Sequence, residues 1–135
     1  MLKSIQDIEG IGPENTGLLN QEGIYTSRKL LEIGSKPDGR KKLAERTSIS
    51  EYNILKWVHM CDLCRIIGIA GQFAELLEES GVETINELQN KNAENLAKKL
   101  FETNENKRLC KATPSVTMIQ DWVNQANSLV PMVLY

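Results

Sequence analysis

Four side chains invite a metal reading: His59, Cys61, Cys64 and Cys110. A Cys-x-x-Cys pair with a third cysteine and a histidine is a four-ligand set suited to Zn²⁺. The spacing argues against it. On a helix Cys61 and Cys64 share a face, but His59 lies about 200° round from Cys61. The two thiols continue the apolar stripe of Ile54 and Trp57, where small apolar residues belong. An iron–sulfur cluster lacks its fourth cysteine, and a redox dithiol lacks the usual βαβ setting. No metal and no cofactor are therefore expected. With one histidine, no nucleophile elbow, no Walker loop and no recognisable carboxylate pair, catalysis has no machinery to point to, and the expectation is a non-enzyme.

The second chemistry is anion binding. Gly10-Ile11-Gly12 and Gly68-Ile69-Ala70-Gly71 are glycine bends before helical stretches. Such a bend turns successive N–H groups outward beside a helix N-terminus, whose partial positive charge suits a phosphate. The bland alternative is that the glycines only let two helices meet closely. Lys36, Arg40, Lys41, Lys42 and Arg46, with Asp38 and Glu45 among them, form a run of net charge +3. Its core, Arg40-Lys41-Lys42, is either a solvated helix face or a contact for nucleic acid or an acidic partner. Lys107, Arg108 and Lys111 make a second patch, which Lys98 and Lys99 extend. Glu9 and Glu14 flank the first bend and repel a phosphate, whereas the second is neutral with Arg65 as its nearest cation. The second bend is thus the favoured phosphate site. Trp57 and Trp122 are candidate platforms for base stacking, but their apolar neighbours assign them to the core.

These groups must be positioned by helices. Apolar residues recur at spacings of three and four with breakers between, so the chain reads as all-α with about eight or nine short helices. A first helix is expected over 2–8. Pro13 opens the next, which places Leu18 and Leu19 inward and stops at Gly23. Thr26 or Ser27 caps a helix carrying Leu30, Leu31 and Ile33. Asp38 caps a helix over 39–46 with Leu43 and Ala44 inward. Ser50 caps a long helix over about 50–65. After the second bend come a helix with Leu76 and Leu77, a stop at Gly81, a helix capped by Thr84, and one capped by Asn92 that bears Leu96, Leu100 and Phe101. Residues 103–113 read as a polar surface loop, and Ser115 caps the last helix.

The chain also repeats itself. Residues 8–30 align without a gap on 66–88, at an offset of 58, with eight identities: Ile8, Gly10, Ile11, Leu18, Leu19, Gly23, Thr26 and Leu30 recur. Chance gives about one or two. Ser50, Ile54, Trp57 and Val58 meet Ser115, Ile119, Trp122 and Val123 at an offset of 65. The organisation expected is a single globule over 1–135. Repeat one is 1–64, with its bend at 8–13 and tryptophan helix at 50–65. Repeat two is 65–135, with its bend at 66–71 and tryptophan helix at 115–128. Each half alone would bury too little surface to be stable.

At 135 residues, 41% hydrophobic, 25% charged and a net charge of −2, the chain has globular composition and is not the basic protein that a charge-driven nucleic-acid binder usually is. No run approaches a membrane span. With three cysteines and no apolar leader, a cytoplasmic setting with reduced thiols is expected. The apolar end 129–135 either folds back on the core or docks on a partner.

Small apolar–Gly–apolar–Gly, a helix with paired leucines, then Gly-Ile/Val-x-Thr resembles the helix-hairpin-helix motif. Both copies with their tryptophan helices resemble the bacterial 4332 family of domains of unknown function, over about residues 5–126. That resemblance implies a tandem helix-hairpin-helix fold of the SAM-like, HhH2 type. It also implies sequence-independent grip on a DNA backbone, as in related repair and recombination proteins. The implied donors are the amides of Gly10, Ile11, Gly12, Gly68, Ile69, Ala70 and Gly71, helped by Arg40, Lys41, Lys42 and Arg65. The lysine or arginine that usually follows the hairpin in DNA-binding relatives is missing here. A protein-interaction or scaffold module without nucleic-acid binding is the alternative.

Overall fold

A computed structural model describes residues 3–69 and 71–135. Eight α-helices follow a 3-10 turn at Ile5–Asp7: α1 Gly12–Gln21, α2 Ser27–Gly34, α3 Pro37–Thr47, α4 Glu51–Leu63, α5 Gly71–Glu79, α6 Ile85–Leu88, α7 Ala93–Lys107 and α8 Val116–Asn127. The described residues contain no strand. Among them extended backbone pairs only in an isolated antiparallel bridge between Ser4 and Thr26.

Local chemistry explains most boundaries. Thr26, Ser50, Thr84, Asn92 and Ser115 each sit at an N-cap in extended conformation, and each side-chain oxygen accepts from the backbone N–H three residues on. After α1 the backbone turns left-handed at Gly23, φ +80°. The Ile24 N–H then reaches back to Leu19 O at 3.0 Å and Gly23 N–H to Asn20 O at 3.0 Å, the paired bonds of a Schellman motif. The same closure follows α5. Val82 N–H donates to Leu77 O at 2.9 Å and Gly81 N–H to Glu78 O at 3.1 Å, with Gly81 at φ +91°.

Three expected boundaries move. In place of a helix over 2–8 there is a single 3-10 turn, capped by Ser4; residues 1 and 2 lie outside the described residues. α3 begins at Pro37 rather than residue 39, because proline's fixed φ suits a first helical turn. Asp38 therefore lies inside that turn, 3.2 Å from Lys42, and caps nothing. α7 runs on through Lys107, where Arg108 ends it in left-handed conformation, so the irregular segment is shorter than the polar composition of 103–113 suggested. Of the large apolar residues on α7, Leu96 and Leu100 are buried and Phe101 is exposed.

α4 is the axis of the molecule. Trp57 through Leu63 are all buried, on every side of the helix. A helix covered all round needs neighbours all round: α2, α3 and α5 pack against α4, while α7 packs on α5 and α8, and α6 on α8. Close approach has a stereochemical signature. A Cβ on Gly34 would lie 2.4 Å from Val58 Cγ2, and one on Gly39 only 2.0 Å from Ile33 O. The tail, 128–135, folds back over the core. Leu129, Met132 and Val133 pack on it, and Leu134 N–H donates to Ser35 O at 2.7 Å.

Candidate functional site: the glycine bends

Both bends are built alike. Ile8 N–H donates to Ile5 O and Ile11 N–H to Ile8 O, at 3.1 and 3.2 Å; fifty-eight residues on, Ile66 N–H donates to Leu63 O and Ile69 N–H to Ile66 O, at 3.1 and 3.2 Å. Ile8, Ile11, Ile66 and Ile69 are buried. Each pair of isoleucines roots its bend in the core, while Gly10, Gly12 and Gly68 lie exposed with φ of +81°, +75° and +103°. L-residues resist that region, so glycine is required. The Ile11 and Ile69 amides are spent on the bend itself. Gly71, φ +48°, opens α5 and is half-buried. Ala70 lies outside the described residues.

The two bends differ in what surrounds them. Ile67, at the tip of the second, is gripped by Gln125 of α8: its N–H donates to Gln125 Oε1 and its carbonyl accepts from Gln125 Nε2, both at 2.9 Å. A Cβ on Gly68 would come within 3.0 Å of Trp122 Nε1. Glu9, from the first bend, reaches the second, with its Oε1 3.5 Å from where a Gly71 Cβ would stand. A carboxylate therefore already occupies the space beside the second bend. At the first bend, Asn15 Nδ2 donates to Ile11 O and Thr16 Oγ1 to Gly12 O, each at 2.8 Å, so α1 starts in a closed set of local bonds.

The expected cations divide into two groups. Arg40 is buried, not part of an exposed face: its guanidinium donates to Gly34 O and Leu134 O at 2.8 Å each, with its centre 5.9 Å from the Tyr135 ring. Burial pushes its pKa down from the ordinary guanidinium value, opposed by Tyr135 and Glu51. Arg65 donates to Asp62 Oδ1 and to Val130 O, at 2.9 Å each. Both arginines fasten the tail. Lys41 and Lys42 are exposed, and Lys42 pairs with Asp38. In the second patch Lys107 is 3.0 Å from Glu79, which Lys56 also meets at 3.2 Å. The Lys107 hydrogen bond, and after it that of Lys56, holds the Glu79 carboxyl below its usual range against the effect of burial.

The cysteines and His59 do not converge. Cys61 and Cys64 line a cavity of about 630 Å³ between α2, α4 and the tail, with Leu31 and Met132 opposite and Lys3 and Arg28 on its wall. Burial pushes both thiols up, Cys64 to about 12. Cys110 lies elsewhere, beside Gln72 O. His59 meets Glu78, Glu83 and Tyr135 instead. Trp57 and Trp122 are buried, the latter packed on Phe73 with ring centres 5.5 Å apart.

Sequence reasoning did not single out Asp62, although it is fully buried. Its Oδ2 accepts from the first N–H of α6, Ile85, at 2.9 Å, while Oδ1 holds Arg65. An acidic residue inside an apolar stripe was the available signal. Gln125 gave none, because its partner lies 58 residues away.

The family model described as domain of unknown function (DUF4332) matches residues 9–129. The chain belongs to that family. No curated protein and no solved structure matches it.

Proposed function

We propose that this member of the DUF4332 family is a non-enzymatic binding module of two helix-hairpin-helix units. On this reading it holds a nucleic-acid backbone in the cytoplasm, weakly and without reading sequence. The observation that carries the reading is the exposure of the bends: Gly10, Gly12 and Gly68 face solvent with left-handed backbone while the isoleucines beside them are buried. Recurrence of the bend and Schellman hydrogen bonds at one offset supports the two-unit description. The first bend is the more open of the two, although Glu14 stands in the first turn of α1 beside it. Glu9 stands at the second bend, and Gln125 ties down its tip. The Gly10 and Gly12 amides at the start of α1 are the donors, and Lys41 and Lys42 supply exposed charge on α3.

Affinity of this kind falls at dissociation constants on the order of 10⁻⁴ to 10⁻⁶ M and weakens steeply with salt. Titrating labelled single and double strands at about 50 mM salt should show it, with Lys41→Glu/Lys42→Glu weakening binding and Glu9→Gln strengthening it. Absence of binding at that salt rejects the nucleic-acid reading.

A second reading, a protein-interaction or scaffold module, is favoured by a different observation. Arg40 and Arg65 bind carbonyls of the chain's own tail and are withdrawn from any phosphate. Since the tail is packed down, the docking surface on this reading is the folded domain rather than a free C-terminal segment.

A further inference from the structure

We propose that His59 and Glu83 bind a divalent transition-metal ion, with Glu78 orienting the imidazole and the Tyr135 hydroxyl giving up its place to the ion. The inference is independent of what the glycine bends bind.

His59 projects from α4 and is 3% exposed. Its Nδ1 lies 3.1 Å from Glu78 Oε2 on α5. In the tautomer the proposal uses, Nδ1 donates to this carboxylate and Nε2 presents its lone pair. Two groups face that lone pair. The Tyr135 hydroxyl stands 2.8 Å away and donates to it. Glu83 Oε2 stands at 3.7 Å, too far for a hydrogen bond. Two ligands bound to one zinc-like ion at about 2.0–2.1 Å are separated by roughly 3.3 Å at a tetrahedral angle. The gap between Nε2 and Glu83 therefore closes on an ion with a few tenths of an ångström of movement. A metal-bound imidazole whose other nitrogen donates to a carboxylate is a recurrent arrangement, and the carboxylate fixes ring and tautomer. Glu78 is placed to do this, and one ligand atom from each of His59, Glu78 and Glu83 falls within 4.8 Å of the others.

The charge points the same way. Among the described residues, the ion-pair contacts of Glu78 and Glu83 run to His59, not to a lysine or arginine. Two carboxylates beside an imidazole match a dication. Imidazole with carboxylate selects Zn²⁺, Co²⁺ or Ni²⁺ over Ca²⁺. The cysteines take no part, since Cys61 and Cys64 line the separate cavity beside α2. Because Tyr135 follows Leu134, whose carbonyl Arg40 holds, metal binding loosens that contact.

The test is a titration of the full chain with Co²⁺ after chelator treatment, followed by visible absorption and calorimetry. A saturable one-to-one site with nitrogen–oxygen ligand-field bands, displaced by Zn²⁺, is expected. Glu83→Gln, at a half-exposed position, should weaken binding at least tenfold while leaving metal-free thermal unfolding unchanged. Tyr135→Phe removes the competing hydroxyl and should bind as tightly as the parent or more so. No Co²⁺ signal, thiolate charge-transfer bands, or equal affinity in Glu83→Gln would each overturn the proposal.

Discussion

Asp62 shows how much one side chain can hold. It is fully buried, caps α6 through the Ile85 N–H and neutralises Arg65, which in turn holds the tail. Arg65 is partly exposed, so removing Asp62 chiefly leaves the buried Ile85 N–H unpaired, at a cost of about 1–3 kcal/mol. Asp62→Ala should lower stability by that order in a urea titration, and more than Lys42→Ala, which breaks only the exposed pair with Asp38. The thiols make a second residue-scale prediction. The thiolate is the reactive form, and burial keeps Cys61 and Cys64 protonated well past neutrality. Native protein at pH 8 should be labelled by a thiol reagent at half-exposed Cys110 first. Cys61 and Cys64 should follow only on unfolding, as peptide mapping of the labelled sites would show.

Elements meet here through missing side chains and shared charges. Gly34 lets α2 lie against Val58 of α4, and Gly39 lets α3 start beneath Ile33 O. A methyl at Gly34 presses on a side chain that has some freedom to move, whereas one at Gly39 strikes backbone. Gly34→Ala should cost about 1–3 kcal/mol by overpacking, and Gly39→Ala should cost more, both read from denaturation midpoints. α4, α5 and α7 are joined by Glu79 between Lys56 and Lys107. The folded-state pKa of Glu79 is depressed. Its contribution is therefore fully present above the unfolded carboxylate range and is lost as pH falls through the folded value. Wild-type stability should drop across that acid window more than that of Glu79→Gln, as parallel urea titrations from pH 6 to pH 3 would show.

The whole molecule is closed by its tail. Residues 129–135 cover α4, and their carbonyls take up Arg40 and Arg65. Deleting them should uncover the cavity beside Cys61 and Cys64 and leave the buried Arg40 without one acceptor. A lowered melting temperature and faster thiol labelling are expected, and an unchanged melting temperature would show that the strap does not stabilise the fold. The helical class, the N-caps at Ser50, Thr84, Asn92 and Ser115, Thr26 as one of two candidates, the glycine stops and the inward leucines were legible in the chain because each depends on neighbours within about five residues. Family membership was legible for the same reason, since its motif is local. The fate of the charges was not. Arg40 reads as a member of a basic run, yet its partners lie at Gly34 and Leu134, the latter 94 residues on. The spacing sets His59 apart from Cys61 but does not say what faces it, and its acidic neighbours come from α5 and the turn after it. Which ionisable group is solvated and which is enclosed depends on how distant helices pack. That packing, and not residue type, set the partners of Arg40, Arg65, Asp62 and His59.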